Sequence, residues 1–489
     1  MRCPLLLLLP PPPLRGSLRS ADRLGVAGFW GSEALERGNG LMNGIHDQIV
    51  ALQWVHQHAA LFGADPQQIT IFGESAGGQS TCALTVSPAA KGLFLRSIIE
   101  SGACTGPWSP GTTKNSLAKS AALATSLHAP TSPMEQLAFM RKLEAKALFA
   151  ASKGSFGAGS WAPDNGLVFP DDKRRPIDYY KAGQMNTNEV LVGGNSMDAL
   201  GAYILPAGQT LSQAEYAGWM ASWGENIHAV EAQYPLSRFW GNTNAAVIQP
   251  QGDCDVVCSQ YELASIIASH GGHAFVYYFD YGPACGDVAL RRGLTKEWTH
   301  GKWASHAAEI PWVFGTATAC FRNESELRLT RTMQAFWTSF AKSGVPVADG
   351  VGEWAAYDAA KGNVMVLDLE PHVSCKPGFV CAVLAAELGC ADGDAAQGEG
   401  LRADALARAW LRRPARPAAA GANHAGRPPP WMKDAATNTA GTAKALPKNE
   451  QASTISCLLF IQQVAIYTVE LARGSAATSI RCLKMGGGS

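Results

Sequence analysis

The sequence predicts an α/β fold in which a mostly parallel central sheet is flanked by helices. Three observations lead to this prediction. Segments rich in β-branched and aromatic residues alternate with segments of helical periodicity from Ala21 to about Leu384. One of the strand-like segments passes directly into a helix through a glycine-rich turn. With 489 residues, of which 47% are hydrophobic and 16% charged, the chain is also long enough and apolar enough to bury a large core.

The N-terminal residues 1–20 are left unassigned and outside this fold. They contain a run of five leucines followed by a block of prolines. A secretory signal usually has a longer apolar core, and proline stops a helix, so the sequence does not decide whether this segment is a signal peptide.

The elements of the fold follow in order. LGVAGF at residues 24–29 is interpreted as a strand, and residues 43–62 as a long helix. That helix is predicted because Ile45, Ile49, Leu52 and further apolar residues recur at spacings of three and four. Strands are then predicted at residues 67–72, 96–101, 188–194, 273–281 and 363–369, and a further helix at residues 326–344.

The glycine-rich turn lies in QQITIFGESAGGQST, residues 67–81. A strand can enter a helix within so few residues only through a sharp turn, and Gly73 and Gly77 lack the Cβ atoms that would clash there. Ser75 is pushed out between them, with its hydroxyl above the positive end of the new helix. This arrangement predicts a nucleophile elbow with Ser75 as the nucleophile.

A serine hydroxyl needs a histidine to take its proton and an acid to orient that histidine. Of the eleven histidines, His306 lies in a loop region after a strand, whereas most others lie in helical segments where a structural role suffices. Asp198 is the first carboxylate after the strand at residues 188–194. The order serine, acid, histidine is the one that the elbow requires, with Asp255 and Asp280 as alternative acids.

The sequence resembles the type-B carboxylesterase/cholinesterase family of the α/β-hydrolase superfamily. Residues 38–80, GNGLMNGIHDQIVALQWVHQHAALFGADPQQITIFGESAGGQS, are similar to the longest motif of that family. HAAEIPWVFG at residues 306–315 is similar to its catalytic-histidine segment, and LVGGNSMDALGAY at residues 191–203 to its catalytic-acid segment. The resemblance covers residues 21–384.

The resemblance implies an α/β-hydrolase fold and a set of site residues. Ser75 corresponds to the nucleophile, His306 to the base and Asp198 to the acid, although the family usually has glutamate followed by glycine where this chain has aspartate followed by alanine. Ala76, directly after the serine, is expected to donate its backbone N–H to the oxyanion. Arg23 and Asp47 occupy the positions of a structural salt bridge, with two unrelated surface charges as the alternative.

One departure from the family concerns the N-terminus. Family members have a longer region there, which supplies further sheet strands and an HGGG-type loop with additional oxyanion donors. About twenty residues rich in Leu, Pro and Arg stand in its place here. The resemblance therefore implies a hydrolase fold with its N-terminal strands missing, an exposed sheet edge, and ester hydrolysis through an acyl-enzyme that is impaired by loss of the loop.

Two alternatives to an active esterase remain open at this point. The family also contains catalytically inactive adhesion or scaffold proteins, and the chain is also consistent with a truncated fragment of a longer esterase. Retention of both the serine and the histidine favours the enzyme, because inactive relatives commonly lose one of them.

Composition narrows the range of partners. Forty basic and forty acidic residues give a formal charge of zero, which argues against capture of nucleic acid. No stretch has the 18 apolar residues of a membrane span. The expected partner is a small-molecule ester, with no metal or organic cofactor, and the oligomeric state is left undetermined.

Twelve cysteines and one Asn-Glu-Ser glycosylation motif at Asn323 favour secretion or an endomembrane lumen, while a cytoplasmic location stays open. The cysteines expected in bridged loops are Cys254, Cys258, Cys285, Cys375, Cys381 and Cys390. Residues 385–489 are rich in Ala, Gly and Pro and are expected to be a mostly disordered tail with one short helix at 454–472.

Overall fold

The structure is a computed structural model that describes part of the chain. The described residues are 6–9, 16–35, 40–105, 111–152, 156, 162–164, 166–171, 173–199, 211–224, 227–282, 304–316 and 323–375. The predicted C-terminal tail and its short helix lie outside these residues, as do Cys285, Cys381 and Cys390.

The described strands form a mostly parallel sheet and a small hairpin. They are β1 (Leu6–Leu9), β2 (Gly16–Arg19), β3 (Thr70–Glu74), β4 (Arg96–Glu100), β5 (Glu189–Asn195), β6 (His273–Phe279), β7 (Val347–Ala348), β8 (Gly352–Glu353), β9 (Val364–Leu367) and β10 (His372–Ser374). The large sheet has the order β10-β9-β6-β5-β4-β3-β1-β2, and β7 pairs with β8. The five strands from β9 to β3 in this order run parallel, which confirms the predicted fold class.

Helices lie on both faces of this sheet. They are α1 (Val26–Phe29), α2 (Asn43–His58), α3 (Ala76–Val86), α4 (Thr113–Ser126), α5 (Pro133–Lys142), α6 (Ala145–Ser152), α7 (Pro176–Lys181), α8 (Gln213–Ala221), α9 (Ile227–Gln233), α10 (Thr243–Gly252), α11 (Cys258–Ser269), α12 (Ile310–Phe314) and α13 (Glu324–Ser343). Among the described residues, none of these helices combines the length and the hydropathy needed to cross a membrane.

Two hydrophobic cores cover the two faces of the sheet. Successive strand residues point to opposite faces, so Ile98 and Ile99 of β4 enter different cores. The first core includes the buried faces of α2, α3 and α11. The second contains the indole rings of Trp312 and Trp337 from α12 and α13, together with Trp354. Burial on both faces explains why the parallel strands are nearly continuous apolar runs.

The structure differs from the sequence prediction at Leu24–Phe29. Gly25 has a φ of 58°, and the N–H groups of Gly28 and Phe29 both donate to its carbonyl, so Val26–Phe29 form one turn of helix and not a strand. A Cβ on Gly28 would lie 2.2 Å from the carbonyl oxygen of Arg23. A short apolar run does not distinguish a strand from a buried helical turn by periodicity, which explains the wrong prediction.

The N-terminal segment also differs from its prediction, because it contributes strands to the sheet. Leu6–Leu9 pairs antiparallel with both β2 and β3, so the edge of β3 that the sequence leaves exposed is hydrogen-bonded to β1. Boundaries of the proposed domains remain predictions.

One described disulfide joins Cys82 of α3 to Cys104 in the loop after β4, with a Cα–Cα distance of 5.7 Å. Neither cysteine is among those expected in bridged loops, because Cys82 lies on the helix that follows the elbow. Cys254 and Cys258 are disulfide-bonded, in line with the expectation. Cys375 is an exposed free thiol, so the expectation of a bridge is wrong there.

Candidate active site

The predicted elbow joins β3 directly to α3. Ser75 lies between them with φ 59° and ψ −120°, a backbone conformation that L residues rarely adopt. A Cβ on Gly73 would lie 2.4 Å from the backbone of Gly77, so only glycine allows the strand and the helix to approach so closely here. The N–H of Ser75 donates to the carbonyl of Glu100 on β4 at 2.9 Å, which anchors the turn to the neighbouring strand.

The structure brings Ser75, His306 and Asp198 together. The distance from Ser75 Oγ to His306 Nε2 is 2.7 Å, across 231 residues of sequence. His306 Nδ1 lies 2.5 Å from Asp198 Oδ1. The Asp198 side chain is fully buried, whereas a quarter of the His306 side chain is exposed, so the ring has a protein-facing and a solvent-facing side. The alternative acid Asp255 instead accepts a hydrogen bond from the Gln251 side chain at 2.8 Å.

The buried carboxylate of Asp198 is held by its other oxygen. Oδ2 accepts hydrogen bonds from the backbone N–H of Asn195 at 2.7 Å and from the hydroxyl of Ser101 at 2.8 Å. A Cβ on Gly194 would lie 2.7 Å from this oxygen. The shorter aspartate therefore reaches His306 because the loop after β5 closes tightly around it.

Three glutamates of the site, two of them acting on the histidine and the third on Glu74, were not singled out from the sequence. Glu74 Oε1 lies 3.3 Å from His306 Nε2, and Glu74 precedes Ser75 in the elbow. Glu309 follows His306 by three residues, and Glu100 accepts a hydrogen bond from the indole of Trp337 at 2.8 Å. Their position next to the two motif residues is the only sequence signal that could have identified Glu74 and Glu309.

Burial raises the pKa of each of these carboxyls, to about 7 for Glu74 and about 8 for Glu100, and well above the ordinary value for Glu309. Burial of the His306 ring lowers the pKa of the imidazole. The nearby carboxylates of Glu74 and Asp198 outweigh this effect, so the net pKa is raised. The site therefore favours a protonated imidazole, the state that follows proton transfer from the serine.

Donation of the Ala76 N–H to the oxyanion remains a prediction. Ala76 is the first residue of α3, where the backbone N–H has no carbonyl partner within the helix. The neighbouring N–H groups of Gly102 and Ala103 face the side-chain amide of Gln260, and turning that amide over lets its oxygen accept from them at 2.8 and 3.2 Å, which assigns both donors to Gln260. Within the described ranges, no group of three or more His, Cys, Asp or Glu side chains is arranged to hold a metal ion.

The predicted pair of Arg23 and Asp47 is a two-pronged ion pair. Arg23 Nε and a terminal nitrogen donate to the two carboxylate oxygens of Asp47 at 2.8 and 2.7 Å, and the Arg23 backbone N–H adds a third contact at 2.9 Å. It ties the segment before α1 to α2, and half of the arginine side chain is exposed.

Comparisons with known proteins point to one family. Residues 22–379 match the model of the Carboxylesterase family. The chain is 29% identical over 363 residues to an acetylcholinesterase of Leptinotarsa decemlineata, which covers 67% of the chain and 54% of that protein. It is 27% identical over 373 residues to liver carboxylesterase 1 of Mus musculus, covering 70% of the chain and 63% of that protein. It is also 29% identical over 370 residues to a medium-chain fatty acyl-CoA hydrolase precursor of Anas platyrhynchos, covering 69% and 60%.

The chain thus spans less than two thirds of the length of these relatives. The family model nevertheless covers both the elbow and the segments of His306 and Asp198, and it extends over most of the described sheet. The chain belongs to the carboxylesterase family, within the α/β-hydrolases.

Proposed function

We propose that the chain is a serine hydrolase that cleaves carboxylic esters through an acyl-enzyme. The observation that carries the proposal is the hydrogen-bonded line from Ser75 Oγ through the His306 ring to Asp198. His306 Nε2 takes the hydroxyl proton as Oγ attacks the acyl carbon, and the alcohol leaves with that proton. Water then attacks the acyl-enzyme, gives its proton to Nε2, and the proton returns to Ser75 as the acid departs.

Asp198 has a supporting part in this mechanism. Its carboxylate accepts the Nδ1–H of His306, which selects the tautomer whose Nε2 can accept the serine proton. When the ring becomes charged, the buried carboxylate stabilises it. The family supports small carboxylic esters as the substrate class, and the zero net charge of the chain gives no sign of attraction to a strongly charged substrate.

Turnover is expected to be slow because, among the residues that the structure describes, Ala76 is the one oxyanion donor proposed beside Ser75. The sequence has no HGGG run, and its His-Gly-Gly at residues 270–272 precedes β6, whereas the site is at the carboxyl ends of the strands. Loss of one oxyanion donor typically costs about 10²–10³-fold in kcat. Acylation by a reactive ester should therefore be detectable while steady-state hydrolysis remains weak.

The test uses a fluorophosphonate probe and a short-chain nitrophenyl ester on the full chain. We expect a covalent adduct on Ser75 and slow ester hydrolysis, both absent from Ser75→Ala. Equal hydrolysis by the alanine variant would refute the assignment. An unlabelled but folded parent chain would instead favour the non-catalytic adhesion or scaffold role.

We also propose that the protein is secreted or resides in an endomembrane lumen. Support comes from the disulfide-bonded cysteines, which are Cys82 on α3 with Cys104, Cys254 before α11 and Cys258 at its first position, since disulfides persist in oxidising compartments. Asn323 is exposed at the start of α13. A mass decrease on treatment with an N-glycan-removing enzyme, lost in Asn323→Gln, is the expected result in secreting cells.

A further inference from the structure

Asn195, the last residue of β5, contacts both the loop of the acid and the loop of the base. Its backbone N–H donates to Asp198 Oδ2 at 2.7 Å. Its side-chain nitrogen donates to the carbonyl of Ser305 at 2.9 Å and to Glu309 Oε2 at 2.5 Å. We propose that Asn195 is a positioning residue that sets the distance between His306 and Asp198 for the reaction proposed above, and the inference rests on that proposed function.

The contact with Ser305 matters because of where its carbonyl lies in the chain. That carbonyl belongs to the peptide bond that leads into His306, so holding it fixes the backbone from which the imidazole projects. The residue after the histidine, Ala307, has a φ of 64°, a conformation that persists only when its surroundings hold it. One side chain thus anchors this strained segment to the end of the strand that precedes Asp198.

The chemistry of the contact requires an asparagine. A carboxamide nitrogen offers two protons, and here they meet two separate oxygens, one of which is a carbonyl that can only accept. Asn195 is fully buried, so water does not replace a lost donor. Aspartate at this position offers at most one proton to the two oxygens, and alanine offers none.

The same pair of loops has a second set of contacts that supplies a matched control. The N–H of Met197 donates to the carbonyl of Ala304 at 2.8 Å, and the N–H of Ala304 donates to the hydroxyl of Ser196 at 2.9 Å. Ser196 is buried like its neighbour, but its hydroxyl touches a residue two positions before the histidine. Ser196→Ala removes one buried hydrogen bond between the loops while the Ser305 carbonyl keeps its donor.

Asn195→Ala is expected to lower kcat about 10²-fold with little change in KM, because misplacement of a base by about 1 Å has effects of this size. The rising limb of kcat/KM should move to lower pH, since a looser contact between Asp198 and His306 stabilises the charged ring less. The other groups that face this ring, Glu74 and Glu309, are present in both variants. Only Asn195→Ala removes the hydrogen bond to Glu309, a loss that raises the pKa of that carboxyl and moves the limb in the same direction. Ser196→Ala should change kcat less than about threefold and leave the midpoint of the rising limb of kcat/KM at the same pH as in the parent.

A measurement that does not depend on turnover completes the test. The Nδ1 proton between His306 and Asp198 should give a far-downfield proton NMR resonance at acidic pH in the full chain and in Ser196→Ala. We expect Asn195→Ala to shift or broaden it. Asn195→Asp keeps the side-chain volume and replaces the alanine variant if that variant does not fold.

The outcomes separate the positioning inference from the proposed function. If Asn195→Ala keeps both the resonance and the kcat of the parent, or if Ser196→Ala is impaired equally, the positioning role is overturned. If the parent hydrolyses no ester, but its resonance is shifted or broadened by Asn195→Ala and not by Ser196→Ala, the positioning role stands and the esterase proposal fails.

Discussion

Ser75 combines the reactive hydroxyl with a strained backbone. Its φ of 59° places it where L residues cost of the order of 1–3 kcal/mol, and the carbonyl of Glu100 holds its N–H in that conformation. Ser75, the proposed nucleophile, therefore reduces the stability of the fold while its backbone conformation presents the hydroxyl at the end of the strand.

Replacing Ser75 with glycine is expected to raise the free energy of unfolding by about 1 kcal/mol relative to Ser75→Ala, because glycine adopts this conformation without strain but loses more entropy on folding. Both variants lack the hydroxyl, so the comparison isolates the backbone. Urea denaturation of the two proteins measures the difference. Equal stability would contradict the assignment of strain.

Glu74 sets the pH range of the proposed reaction. A base must be neutral to accept the serine proton, and carboxylates raise the pKa of His306, so kcat/KM should rise with pH around a midpoint above the ordinary imidazole value. Glu74→Gln removes the closest of these charges after Asp198 and should move the midpoint to lower pH. Glu353→Gln, at an exposed position on β8, should leave it unchanged. A pH–rate profile with a neutral nitrophenyl ester decides between these results.

At the residue scale, chain order and strand ends were sufficient to predict that Ser75, Asp198 and His306 come together, and the structure places the three side chains within hydrogen-bond distance. It could not indicate the roles of Asn195 and Ser101. Their contacts depend on which way side chains point at the ends of strands, and that direction is decided by tertiary packing and not by periodicity.

At the element scale, two features hold α3 in the site: the elbow at Ser75 and a disulfide. The bond between Cys82 and Cys104 fixes the helix of the nucleophile to the loop after β4, and the same loop carries Ser101, which holds the acid. The two cysteines are both fully buried. This disulfide therefore stabilises both the helix that follows Ser75 and the loop that contacts Asp198.

Replacing Cys82 and Cys104 together with alanine is expected to lower the free energy of unfolding by about 3 kcal/mol, the chain-entropy value for a bridge across 22 residues. Cys375→Ala, which removes an exposed free thiol, is the control and should have no effect. Urea denaturation under non-reducing conditions measures both. If the double variant lowers the free energy of unfolding no more than Cys375→Ala does, the disulfide contributes nothing to stability.

The long periodic elements were predictable and the short ones were not. Helix α2 buries Ile45, Ile49 and Leu52 as expected, although Phe62, at the end of the predicted face, is 41% exposed and lies against Trp54. The turn at Val26–Phe29 was assigned to a strand, since a few apolar residues fit either structure.

At the scale of the whole molecule, the parallel sheet is what assembles the site. Ser75 and Asp198 follow the carboxyl ends of β3 and β5, and His306 belongs to a segment that pairs with the loop after β5. The α/β architecture could be predicted because both faces of every central strand are buried. The pairing of β1 with β3 could not, because a leucine run bounded by prolines has no strand periodicity.

The distance in sequence between the triad members also determines when the site can form. Ser75 meets a residue 231 positions away, and contacts of such long range are slow to form during folding. After dilution from denaturant, with the disulfides intact, the far-ultraviolet circular dichroism of the local helices should recover before the chain regains reactivity toward a fluorophosphonate. Simultaneous recovery of the two signals would mean that the contact between Ser75 and His306 forms together with the local helices and not after them.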